Sequence, residues 1–144
     1  MHKVLPVEAP FWFSITTPAD PRQAPVLHDL AVRIARQVGC TEEHAGEFGL
    51  RLAETVATAI ERAHTGPAGV RLKARFRVHL SAFEVTLLLA GTSERGVAAL
   101  AALDPAAVWP GEALRGATDG FEVSRDPDGI RCRVTRLFGR PTAD

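Results

Sequence analysis

The chain has 144 residues, 46% hydrophobic and 24% charged, which is ordinary for one soluble globular domain with a sizeable core. Seventeen basic and seventeen acidic side chains cancel, so no global field draws the chain to nucleic acid or an anionic membrane. No apolar run approaches the roughly 20 residues that a membrane helix needs, and MHKVLPVEAP lacks the pattern of a signal peptide, so a cytoplasmic location is expected.

Residues 11–17, FWFSITT, are β-rich and run into the breakers Pro18, Pro21 and Pro25. Leu27, Leu30, Ile34 and Val38 then predict a helix stopped by Gly39. Residues 41–64 predict a long amphipathic helix ending near Thr65-Gly66-Pro67. Its apolar stripe is Ala45, Phe48, Leu52, Val56, Ala59 and Ala63, and its polar face carries Glu47, Glu54, Thr58 and Glu61. Thr41 is the expected N-cap, and Glu42 and Glu43 suit the positive end of the helix dipole.

Strict alternation over residues 70–80 predicts a strand, with Val70, Leu72, Ala74, Phe76, Val78 and Leu80 on one face. Its other face carries Arg71, Lys73, Arg75, Arg77 and His79. A turn near 80–82 leads into a second strand, 83–90, with Phe83, Val85, Leu87 and Leu89 sharing a face. Residues 91–111 contain an Ala/Leu run broken by Pro105 and Pro110, open between loop and helix. A short helix over 112–118 follows. A closing hairpin pairs 121–125 with 130–138 through Asp126-Pro127-Asp128-Gly129. The order β-α-α-β-β-(loop or helix)-α-β-β predicts one α+β domain over residues 1–144, a mixed sheet with helices on a single face and one wet side.

Cys40 and Cys132 form neither a disulfide framework nor a zinc knuckle, and both read as structural thiols. The histidines at 2, 28, 44, 64 and 79 show no ligand spacing. Trp12 and Trp109 are expected as core or rim anchors, with Trp109, if exposed, a protein-binding hot spot. The basic row of the 70–80 strand, joined by Arg131 and Arg133, reads first as a solvated face and second as a dock for an acidic partner. Aromatic residues are not interleaved with it, which argues against nucleic acid.

Helix 41–64 resembles the first nucleotide-binding helix of the anti-sigma-factor serine kinases, relatives of the histidine-kinase ATPase domain. That helix is written roughly L-x-x-x-E-x-x-x-N-A-x-x-H, and Leu50, Glu54 and Ala59 fit it. The likeness covers nearly the whole chain, through FWFSITTPAD, VRIARQVGCTEEHAGEF, and Gly111, Leu114, Asp119, Val123 and Gly129 of the C-terminal part. It implies the two-layer α/β sandwich called the Bergerat fold. In active members the Glu acts as general base or orients the nucleophile, and the Asn coordinates Mg²⁺ held by ATP. The Asp of a D-x-G-x-G motif accepts a hydrogen bond from the adenine amino group, and glycines close around the phosphates. The resemblance carries that site onto Glu54, Thr58, Leu89, Gly91 and Gly111, with Glu54 as the catalytic residue and Thr58 at the Mg²⁺ position.

Three positions depart from the pattern: Thr58 replaces Asn, Arg62 replaces a common His, and Leu89 replaces the adenine-binding Asp. An adenine amine facing leucine goes unsatisfied, costing about 1–3 kcal/mol beyond the lost bond, or about tenfold or more in affinity. The chain is therefore expected to be a non-catalytic or weakly nucleotide-binding protein-interaction module in bacterial partner switching, with no cofactor held in the usual way. Its implied partners are a sigma factor or a small antagonist protein, with a homodimer also implied, and neither nucleic acid nor membrane. The alternative is an active protein serine kinase that acts on the antagonist, using Glu54 with ATP and Mg²⁺ in a rearranged site.

Overall fold

The computed structural model describes residues 11–63, 69–79, 82–109 and 111–137. In chain order the elements are β1 (Phe11–Pro18), a 3₁₀ turn (Pro21–Gln23), α1 (Ala24–Gln37), α2 (Glu42–Arg62), β2 (Val70–His79) and β3 (Ala82–Gly91). They continue with α3 (Glu94–Ala101), α4 (Pro105–Val108), α5 (Glu112–Arg115), β4 (Gly120–Asp126) and β5 (Gly129–Leu137). The expected α+β order holds, and the ambiguous stretch 91–111 contains two short helices. Each has its own cap: Ser93 Oγ accepts from Gly96 N–H at 3.1 Å, and Asp104 Oδ1 from Ala106 N–H at 3.2 Å. The expected helix stop at 65–67, the turn at 80–81, and Pro110 and Phe138 lie outside the described residues.

The strands form one sheet in the order β1-β2-β3-β5-β4. Every pairing is antiparallel, which corrects the expected mixed sheet. The reason lies in the connections. The α1–α2 hairpin carries the chain out and back, so β2 enters antiparallel to β1. Strands β2 and β3 pair antiparallel, as do β4 and β5, and β5 inserts between β3 and β4.

One sheet face is dry. Leu72, Phe76, Val85, Leu87, Leu89, Ile130 and Cys132 point from it into the core with essentially no exposure. The stripe expected on α2 covers this face: Ala45, Phe48, Leu52, Val56, Ala59 and Ala63 are all buried. Phe48 meets Phe83 edge to face at 5.2 Å, and Phe13 stacks on Phe76 at 5.2 Å. Thr41 caps α2 as expected, accepting from His44 N–H at 3.1 Å, and Gly39 takes the positive φ of 101° that ends the preceding helix.

The two long helices come close together at Gly49. A Cβ there would collide with Val32 and come within 3.1 Å of the His28 carbonyl, whereas a Cβ at Gly46 meets nothing within 4 Å. Gly49→Val should therefore cost about 1–3 kcal/mol by overpacking. Gly46→Ala should add up to about 1 kcal/mol through helix propensity. Melting temperatures moving in opposite directions check the pair; a stable Gly49→Val protein would refute the close crossing.

Cys132 pairs across the sheet with Leu87 and Val123 and is fully buried. Burial pushes its thiol from the ordinary 9.0 up to about 12. The folded thiol thus holds its proton where the unfolded one has lost it. Its contribution is complete below pH 9.0 and declines as pH rises toward 12. At about 1.4 kcal/mol per pH unit, the decline is on the order of 4 kcal/mol. Urea unfolding across this range should show a shallower loss of stability in Cys132→Val than in the native sequence. Parallel curves would argue against the buried thiol as its source.

Candidate functional site

Glu54, Thr58 and Arg62 lie four residues apart and form one stripe along α2, flanking its buried residues. Glu54 is exposed, with Arg51 at 3.4 Å, and Arg51 is shared with Glu47 at 3.9 Å. Thr58 is half-buried. Arg62 Nη1 donates to the Ala107 carbonyl at 2.9 Å, tying α4 to the end of α2.

Leu89 occupies a different setting. Its parity in β3 turns it to the dry face, in register with Leu72 and Ile130, and it has no exposure. Two residues on, Gly91 donates its N–H to the Asp128 carbonyl at 2.9 Å. A Cβ on Gly91 would strike the Gly96–Val97 backbone, so its glycine character is used for the close approach of α3. Gly111 precedes α5, and a Cβ there would strike the Phe121 ring.

Between β3 and β4 the chain is fastened down by side-chain hydrogen bonds to the neighbouring strands. Arg125 Nη2 donates to the Leu103 carbonyl at 2.6 Å, and Arg136 Nη1 to the Ala117 carbonyl at 2.7 Å. Trp109, 1% exposed, donates its indole N–H to the Ile130 carbonyl at 3.3 Å. Trp109 is thus a core residue with no surface to offer a partner, whereas Trp12 stands 57% exposed on the open face of the sheet. Sequence reading missed Arg125 and Arg136 as fasteners, because an arginine on a strand carries no sign of the distant carbonyl it reaches.

Three clefts are relevant. One of about 460 Å³ lies between the end of α2 and the α4–α5 stretch, lined by Arg62, Trp109, Gly111, Glu112 and Phe121 among others. A second, of about 440 Å³, lies at the start of α3 and includes Gly91, Ser93 and Asp128. The third, about 730 Å³, is a groove on the open sheet face. Of the five positions carried over by resemblance, Gly111 lines the first cleft and Gly91 the second, and none lines the third. Glu54, Thr58 and Leu89 line none of these three. The basic row is placed as its alternation predicts: Arg71, Lys73, Arg75 and Arg77 are exposed on the wet face, and Arg131 and Arg133 share that face.

Removing a fastener should loosen the cover. Arg125→Met should speed amide hydrogen exchange across α3 and α4 by about five- to tenfold, the equivalent of about 1–1.4 kcal/mol, within the range of one hydrogen bond. Unchanged exchange would show that this arginine does not hold the segment. No protein-family model matches the chain, and no curated protein is significantly similar to it.

Proposed function

We propose that this chain is a protein-interaction module of bacterial partner switching, resembling the anti-sigma-factor serine kinases in a Bergerat-type sandwich but without their mode of nucleotide binding. The observation that carries this reading is Leu89. It is fully buried in the core, in register with Leu72 and Ile130, and the resemblance assigns this position to an adenine-binding carboxylate. A leucine accepts no hydrogen bond, and exposing it to a purine would also remove it from the core.

The other positions support the same conclusion. Thr58 offers one hydroxyl oxygen on a shorter arm than Asn, a poor ligand for Mg²⁺ held by a triphosphate. Gly91 and Gly111 serve backbone and ring packing. The residues present therefore fit Mg·ATP poorly, and no phosphoryl-transfer step is derived from them. The stretch between β3 and β4 is pinned by hydrogen bonds of Arg62, Arg125, Arg136 and Trp109. The proposed partners are a sigma factor or a small antagonist protein in the cytoplasm, with self-association as a homodimer.

Thermal shift with Mg·ATP and Mg·ADP tests the reading. A nucleotide present at a hundred times its Kd would add about 2.7 kcal/mol to stability. The expected result at millimolar nucleotide is no change in Tm. A rise of several degrees would overturn this reading, and radiolabel transfer from ATP to a candidate antagonist, lost in Glu54→Ala, would establish the kinase alternative.

A further inference from the structure

We infer that the open face of the sheet is a docking groove for an acidic polypeptide segment in extended conformation. This surface lies on the far side of the sheet from α2, so it stands or falls independently of the function proposed above.

The groove runs along β3. Its floor is Thr86 and Leu88, and cations rise on both sides: Arg75 faces Arg133 across Thr86, and Lys73 faces Arg131 across Leu88. The facing walls are two strand spacings apart, about 9.5 Å. The chain as a whole carries no net charge, yet this groove holds five cations against the carboxylates of Glu84 and Glu122. The excess is local.

Pairing within the face is uneven. Arg133 holds Glu122 at 2.8 Å, Arg131 pairs with Asp126, and Arg77 lies 3.6 Å from Glu84. Among the described residues, no carboxylate pairs with Arg71, Lys73 or Arg75. These three stand in a row on β2 at two-residue intervals, about 6.6–6.8 Å apart. Like charges held at that spacing repel one another, and an anionic partner relieves the repulsion. An extended peptide bearing a carboxylate at every second residue repeats at the same interval.

The row also has an anchor. The Arg75 guanidinium sits 4.5 Å from the centre of the Trp12 ring, and Trp12 remains 57% exposed. Exposed tryptophan beside arginine is the pairing in which interface energy concentrates. A nucleic-acid strand fits less well. Trp12 offers a single stacking platform already flanked by Arg75, and Glu84 and Glu122 oppose a phosphate backbone.

The test uses a fluorescein-labelled octapeptide of alternating Glu and Ser, followed by anisotropy at low salt. Saturable binding is expected, falling about tenfold in Lys73→Glu/Arg75→Glu and weakening as salt is raised. The peptide should also change the fluorescence of Trp12, an effect absent in Trp12→Phe. If charge reversal unfolds the protein, Lys73→Gln/Arg75→Gln carries the comparison, with about a threefold loss expected. Binding unchanged in these variants would overturn the inference. So would equal binding of a block Glu₄Ser₄ peptide, tighter binding of an oligothymidine, or self-association that blocks the peptide.

Discussion

The rest of the structure depends on a sheet that is dry on one side and wet on the other. Along β2 and β3 every second side chain is apolar, so a single register choice sends Leu72, Phe76, Val85 and Leu87 to the same face. A slip by one residue would bury Lys73 and Arg75 and expose those four, at a cost no local interaction offsets. The dry face must then be covered, and the stripe of α2 has the right width and content to cover it. The wet face is left free to carry charge. Both surfaces of the sheet, the helix-covered side and the cationic groove, follow from this one division.

The same parity governs the candidate nucleotide site. Position 89 faces inward, and there leucine contributes to the core with no exposed area. An acceptor at that position is useful only if a ligand reaches it. Around it, groups that would cradle phosphates in the resembled family meet protein instead. Gly91 admits the α3 backbone and Gly111 admits Phe121. Arginines from α2, β4 and β5 donate to carbonyls of the connecting stretch, satisfying backbone acceptors that the short helices leave free. A segment fastened at several points opens less readily than a loop held by packing alone.

Much of this was legible in the residues themselves. The periodicity of α2, its Thr41 cap, the Gly39 stop, the β2 alternation and the terminal hairpin all appear where local chemistry places them. The mixed sheet was an error of topology: alternation marks a strand but not the direction of its neighbour, which depends on how helices return the chain. Trp109 and Trp12 illustrate the same gap. One is buried with its indole N–H bonded to Ile130, and the other lies open beneath Arg75. Nothing in either local sequence separates those fates.

The sequence by itself determined the elements, the faces they present, and the residue types at 58, 62 and 89 that depart from the kinase pattern it resembles. These are local properties, set by periodicity, capping and side-chain chemistry. Only the tertiary structure decided which distant groups meet. It brought Arg131 and Arg133 opposite the β2 cations, set α3 against Gly91, and carried Arg62 and Arg125 to the backbone they hold. Those meetings depend on strand order and helix return, which arise from burying the whole dry face at once and are written in no single segment.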